Sequence, residues 1–195
     1  MSGIDAMGIE NAAQGICGFT STMYAIYANR PELRAGLQRA FDDKTRSTRL
    51  MAEIKSFLVT MKAEGKQGVL DQIMELTRTF PNFGGWTVDS YIASIDSQTA
   101  ANYSIAMPPE ATMEYMRSAW KMRPTLIDML RPGGGDAVFG LTRTGGPRNR
   151  WKNLAHYVYR SSDGSLLSWG EKFKDLNDLN ARKKRDYSVV YIIKV

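Results

Sequence analysis

The hydrophobic pattern of the chain changes once, near residue 131, and this change limits the fold more than any other feature. Before it, apolar residues recur at helical spacing. Phe19, Met23, Ile26 and Tyr27 mark a helix over Cys17 to Ala28. Pro31 suits the first turn of a second helix, continued by Leu33, Leu37, Ala40 and Phe41. Leu50, Ile54, Phe57, Leu58 and Met61 share a face of a third, from about Thr48 to Ala63, and Gly65 breaks it. Val69, Leu70, Ile73, Met74 and Leu76 suggest a fourth, and the cluster Pro81 to Gly85 reads as a loop. A last helix is expected from Pro109 to about Leu130, kinked at Pro124.

After Arg131 the texture becomes that of strands. Glycine- and proline-rich turns bracket the short apolar piece Ala137 to Leu141. Three strand candidates follow: Leu154–Arg160, Ser165–Trp169 and Tyr187–Val195. Asp163-Gly164 between the first two is a strong signal for a two-residue hairpin turn. The expected class is α+β in one domain over 1–195, with a helical subdomain over about 1–131 and a C-terminal antiparallel sheet over about 132–195.

Composition narrows the chemistry. The chain has 195 residues with one cysteine and one histidine, which rules out an intrachain disulfide framework. A Cys/His zinc cluster lacks ligands, and no Asp/Glu cluster has metal-ligand spacing, so neither a metal nor a cofactor is expected. The net charge of +6 is uneven: Leu141 to Val195 hold twelve Lys or Arg against five Asp or Glu. Such a basic region attracts nucleic acid, anionic lipid or an acidic protein. No stretch approaches the roughly twenty apolar residues of a membrane span. The N-terminus lacks the pattern of a cleavable secretory signal.

Cys17 lies in Gln14-Gly15-Ile16-Cys17-Gly18-Phe19-Thr20-Ser21, at the expected start of the first helix. A helix N-terminus carries unpaired N–H groups and partial positive charge, which favour a thiolate. The Cys17 N–H and the Gln14 amide could both stabilise an oxyanion. His156 falls at or near a strand start. A two-residue turn at Asp163-Gly164 would pair Ser162 with Ser165 and set His156 opposite Glu171, whose carboxylate could orient the imidazole. A one-residue shift in the turn would set Gly170 there instead.

These residues carry a resemblance. The segment QGICGFTS resembles the active-site region of papain-like cysteine peptidases, where a Gln precedes a Cys that opens the central helix. AHYVYRSSDGSLLSWGEKF resembles the same superfamily's histidine strand and its Ser-Trp-Gly strand. The order is that of the family, with Cys17 and His156 more than a hundred residues apart. Where papain has an orienting Asn before Ser-Trp-Gly, this chain has Leu167. Glu171 is therefore the first substitute for that role and Asp163 the next. The Gln stands three residues before the Cys where the family usually has six, and Asn11 occupies that other spacing. Short members without disulfides are common among bacterial effectors and toxins.

The resemblance implies a cysteine protease or amidase: a thiol hydrolase in which Cys17 attacks an amide, His156 moves the proton, Glu171 orients the ring and Gln14 helps hold the oxyanion. The implied substrate is a protein, a peptide or a peptidoglycan stem peptide, with a cognate inhibitor or immunity protein as a further partner. A deamidase or transglutaminase would use the same couple. The implied location is cytoplasmic, or a target cell reached through a specialised secretion system. The rival expectation is a non-catalytic basic module that binds nucleic acid or an acidic partner through residues 143–152 and 182–185. A former enzyme kept as a binding scaffold is the third.

Overall fold

A computed structural model describes residues 15–34, 46–95, 104–127 and 135–195. Gln14, residues 35–45 of the expected second helix and residues 128–134 lie outside them. The described helices are α1 (Cys17–Asn29), α2 (Arg46–Ala63), α3 (Gln67–Thr77), α4 (Val88–Ile95), α5 (Pro109–Trp120) and α6 (Leu176–Lys183), with a 3₁₀ turn at Pro31–Leu33. The strands are β1 (Thr125–Ile127), β2 (Ala137–Thr142), β3 (His156–Arg160), β4 (Leu166–Ser168), β5 (Glu171–Phe173) and β6 (Ser188–Lys194). They form one six-stranded sheet in the order β1-β6-β2-β3-β4-β5, each neighbouring pair antiparallel. The class is α+β. Among the described residues no helix is long and apolar enough to cross a membrane.

The α5 helix ends ten residues before the expected boundary at Leu130 and is not kinked. Lys121 adopts a left-handed conformation, φ 55°, and Met122 N–H reaches back to the Met116 carbonyl at 3.1 Å. Lys121 N–H also bonds the Arg117 carbonyl at 3.1 Å, the five-to-one bond of a left-handed helix stop. Pro124 then disfavours a helical Arg123, and the chain runs straight into β1, which pairs with β6. The sheet therefore begins inside the segment expected to be helical.

Strand alternation gives the sheet two covered faces. Val138, Tyr157, Tyr159, Leu167, Tyr191 and Ile193 join the helices in one core cluster. Ala137, Phe139, Val158, Leu166, Phe173 and Ile192 form a smaller cluster on the other face, with Leu179 of α6.

The α1 helix is the centre of the first cluster. Every residue from Cys17 to Tyr27 is buried, hydroxyls included. Thr20 and Thr22 satisfy their hydroxyls within the helix, donating to the Cys17 and Gly18 carbonyls at 3.3 and 2.8 Å. At its far end Arg34 donates to the Tyr27 and Ala28 carbonyls at 2.7 and 2.9 Å, serving groups the last turn leaves open. Gly18 permits a close approach, since a Cβ there would stand 3.0 Å from Met107 Cε.

Phe19 of α1, Phe57 of α2 and Tyr115 of α5 meet edge to face, with ring centroids 4.7 to 6.0 Å apart. This triad joins three helices at one point, and Phe57 is fully enclosed. Phe57→Ala is expected to lower unfolding free energy by about 3–5 kcal/mol, the usual range for emptying a buried aromatic site. Urea denaturation followed by far-UV circular dichroism checks it; a loss below about 1 kcal/mol would show that the triad does not hold the helices together.

Candidate functional site

Cys17 and His156, the only residues of their types, line one cavity. Its empty volume is about 330 Å³, part of it continuous with solvent. One wall is Gly15 and Cys17 at the start of α1, another is the entry to β3 from Leu154 to Tyr157. Leu76 in the last turn of α3, Thr79 and Phe80 after it, Ala106 and Met107 before α5, and Pro147 complete the described lining. Among the described residues, no carboxylate lines it. Gly15 needs its lack of a side chain: its φ is +80°, and a Cβ would fall 2.5 Å from the Ile105 carbonyl oxygen and 2.7 Å from the Phe80 ring.

The α1 helix opens without a side-chain cap. The N–H groups of Tyr157, Cys17 and Gly18 turn toward the sulfur and favour its thiolate, as a helix start does. Burial outweighs them. Cys17 is 6% exposed, and desolvation pushes its thiol up to about 11. The expectation of a helix-activated thiolate is corrected: at neutral pH the group is a thiol, with Sγ 3.7 Å from the Gly15 carbonyl.

The loop before His156 is pinned by Asn149. Its Oδ1 accepts from the Trp151 and Leu154 N–H groups at 3.1 and 3.2 Å, and its Nδ2 donates to the Leu154 carbonyl at 3.0 Å. Ala155 N–H then bonds the Leu141 carbonyl at 2.7 Å, bringing His156 onto β3 opposite Leu141.

His156 is 6% exposed, and its Nε2 lies 2.8 Å from Ser168 Oγ. The ring stacks on Trp169 with centroids 3.9 Å apart and planes 5° from parallel. Tyr187 stands 6.0 Å away, centroid to centroid. Burial first, then the nearby Lys183 charge, drive the imidazole down to about 3, so it is neutral at physiological pH. Nδ1 has no hydrogen bond among the described residues.

The hairpin register departs from expectation by one residue. Ser161 N–H bonds the Ser165 carbonyl at 2.9 Å, and Gly164 has φ +88°. This is a three-residue loop with a left-handed glycine, and not a two-residue turn. Tyr159 therefore pairs with Leu167 and Arg160 with Leu166, so the same spacing extended puts Gly170, not Glu171, across from His156. The two-residue turn lies one hairpin later. Ser168 pairs with Glu171 across Trp169 and Gly170, which have φ 51° and 70°. Positive φ at both positions is the signature of a type I′ turn, and it is uncommon for a bulky residue. That turn sets Trp169 against the imidazole.

Glu171 is committed elsewhere, accepting from both Arg182 and Lys183. Lys183 holds its carboxyl below the usual range. Asp163 accepts from the Ser165 N–H and hydroxyl at 2.9 and 2.5 Å, serving the hairpin loop. Gln14 and Asn11 lie outside the described residues. The structure thus gathers Cys17 and His156 at one cavity with Ser168 on the imidazole, and engages neither Glu171 nor Asp163 there. Ser168, Asn149 and Tyr187 had no such signal in the sequence beyond the Ser-Trp-Gly triplet. Of the basic run 182–185, Arg182 and Lys183 both pair with Glu171 and Arg182 also with Asp178, and in 143–152 Arg150 pairs with Glu75 at 2.9 Å.

Compared with known proteins, the chain matches no family model, no curated protein and no solved structure.

Because His156 is the only histidine, its ring protons are a clean NMR reporter. They are expected to show no titration between pH 5 and 8. An unfolded chain protonates this group near pH 6.5 while the native one waits until about 3, so stability rises with pH across that window. The His156 contribution to the slope is about 1.4 kcal/mol per pH unit between the two values. Comparing wild type with His156→Gln over pH 4–6 isolates it; equal slopes would show an exposed, freely titrating ring.

Proposed function

We propose that the protein is a papain-like thiol hydrolase acting on an amide bond. One observation carries this reading: the chain's only thiol, at a buried helix start, and its only imidazole, at a strand start, border the same cavity. The stacking of His156 on the tryptophan of Ser-Trp-Gly supports it.

The chemistry follows from two neutral groups in a low-dielectric pocket. In the tautomer this reading requires, Nε2–H donates to Ser168 Oγ and Nδ1 keeps the lone pair. As a substrate carbonyl arrives, the thiol proton passes to Nδ1 and the sulfur bonds to the carbonyl carbon. The Cys17 N–H, with the other uncapped donors of the first turn, receives the developing oxyanion. The C–N bond then breaks, the amine takes the proton from His156, and a thioester remains. Water, activated by the same imidazole, adds to the thioester and releases the acid and the free thiol. An amine acceptor in place of water would give transamidation from the same thioester, and a glutamine side chain as donor would give deamidation.

Proton transfer coupled to attack, without a resting thiolate–imidazolium pair, is what burial of both groups favours. Ser168 is here a positioning residue, holding the ring's orientation in place of the carboxylate expected from Glu171.

Cys17→Ala and His156→Ala are each expected to abolish amide hydrolysis, by at least about a thousandfold, with circular dichroism unchanged. Ser168→Ala should reduce kcat by about ten- to a hundredfold with little change in KM, and Glu171→Gln should leave both near wild type. Hydrolysis of a casein or peptidoglycan-peptide panel, read by mass spectrometry, decides. Activity that survives Cys17→Ala overturns the reading.

A further inference from the structure

The cavity is uncharged, but its mouth is not. Pro147 and Ala155 line it, and they belong to the loop that starts at Arg143. Gly146 closes the turn, its N–H bonding the Arg143 carbonyl at 3.0 Å. A Cβ on Gly146 would stand 3.1 Å from Arg143 Cγ and 3.7 Å from Ala155 Cβ, so the arginine stem lies against the cavity's rim. Arg143 is half-buried and forms no ion pair among the described residues.

Across from it stands Tyr187: Thr142 of β2 pairs with Ser188 of β6, and the next positions along the two antiparallel chains are Arg143 and Tyr187. Asn180 holds its backbone on both sides, accepting from its N–H at 2.8 Å and donating to its carbonyl at 2.9 Å. The phenol ring lies 6.0 Å from His156. Burial pushes its hydroxyl up, while the Arg143 and Arg185 charges pull it down and a charge on Cys17 would push it up. Tyr187 thus feels the rim cations and the thiol together. Arg148, next to Pro147, and Arg185 add exposed charge. Asp186 also lies beside this group: the Thr144 N–H donates to it at 3.2 Å, and its bonds to Thr144, with the Arg143 charge behind them, hold its carboxyl below the usual range.

We propose that Arg143 and Tyr187 form an anion site at the cavity mouth, so that the preferred substrate carries a carboxylate close to its scissile amide. The inference rests on the hydrolase reading for the word substrate, but the anion site stands on geometry of its own. The carboxylate would accept from the guanidinium and the phenol while the uncharged chain beside the amide enters the apolar cavity. Arg suits this role because its planar fork holds a carboxylate in a fixed orientation.

The single cysteine allows a test that needs no substrate. Iodoacetate and iodoacetamide differ by one charge and little in size; in both, the sulfur bonds to the methylene carbon, iodide leaves and the thiol proton goes to solvent. With the native full chain at mildly alkaline pH and low salt, the iodoacetate-to-iodoacetamide rate ratio at Cys17 is expected to exceed that of the urea-unfolded chain about fivefold. Arg143→Gln should remove most of this gain with the iodoacetamide rate unchanged, Arg143→Lys should retain part of it, and molar salt should shrink it. Tyr187→Phe gives a second, independent loss. A native ratio equal to the unfolded one, a ratio indifferent to Arg143→Gln, or no native alkylation by either reagent overturns the proposal. A lost ratio beside Cys17-dependent hydrolysis refutes the anion site alone. A retained ratio without hydrolysis supports the site and refutes the hydrolase reading alone.

Discussion

The packing of α1 against β3 is the contact on which the rest of the structure depends. A helix buried on all sides must satisfy its polar groups internally and accept close neighbours, and α1 does both through Thr20, Thr22 and Gly18. Tyr157 and Tyr159 of β3 belong to the same core as α1, so the helix start and the strand start are set by one packed interface. Bringing Cys17 and His156 to a common cavity is a by-product of that interface, with no bond between them required.

The same burial decides the electrostatics. Two effects compete at Cys17: the donors of an uncapped helix start favour charge, and removal from water opposes it. Removal from water wins, and it wins again at His156, where the Lys183 ammonium adds to it. A helix dipole contributes about 0.3–1 kcal/mol near the surface, whereas deep burial of an ionisable group shifts its pKa by several units, worth about 1.4 kcal/mol each. The site is therefore a neutral interior with a cationic margin. Both of its principal ionisable groups rest uncharged near neutral pH.

The sequence made the broad partition legible because long periodic segments, such as 50–61 and 69–76, carry strong helical signals. The site's two principal residues were legible for a simpler reason: each is unique in composition. Short elements were harder. The α6 helix is mostly polar and buries only Leu179, so nothing periodic announces it. The β1 strand is three residues long and follows a proline that reads equally well as a kink. The hairpin failed on one residue of loop length. Asp163-Gly164 favours a two-residue turn in isolation, but the Asp163 side chain bonds Ser165 and stabilises a three-residue loop. Trp169 at positive φ could not be anticipated, because local preference argues against it and only its stack on His156 and contacts beyond the strand compensate. Asn149 escaped for a related reason: a lone loop asparagine looks ordinary until its four-atom amide is seen to tie three backbone groups together.

The distribution of burial around the cavity also bears on how such a molecule can diversify. Its reactive thiol stands on the least replaceable segment of the chain, where nearly any change of side-chain volume disturbs the core. The opposite walls come from loops, around Phe80 and from Arg143 to Ala155, whose backbone is tied by a few hydrogen bonds and where exposed and half-buried side chains outnumber buried ones. Replacement at their exposed positions, such as Arg148 or Thr79, leaves the interior untouched, whereas Trp151 and Leu154 belong to the core. On the proposed hydrolase reading, a lineage built on this scaffold would keep its reaction frozen and drift in what it recognises, with the rim as the variable part.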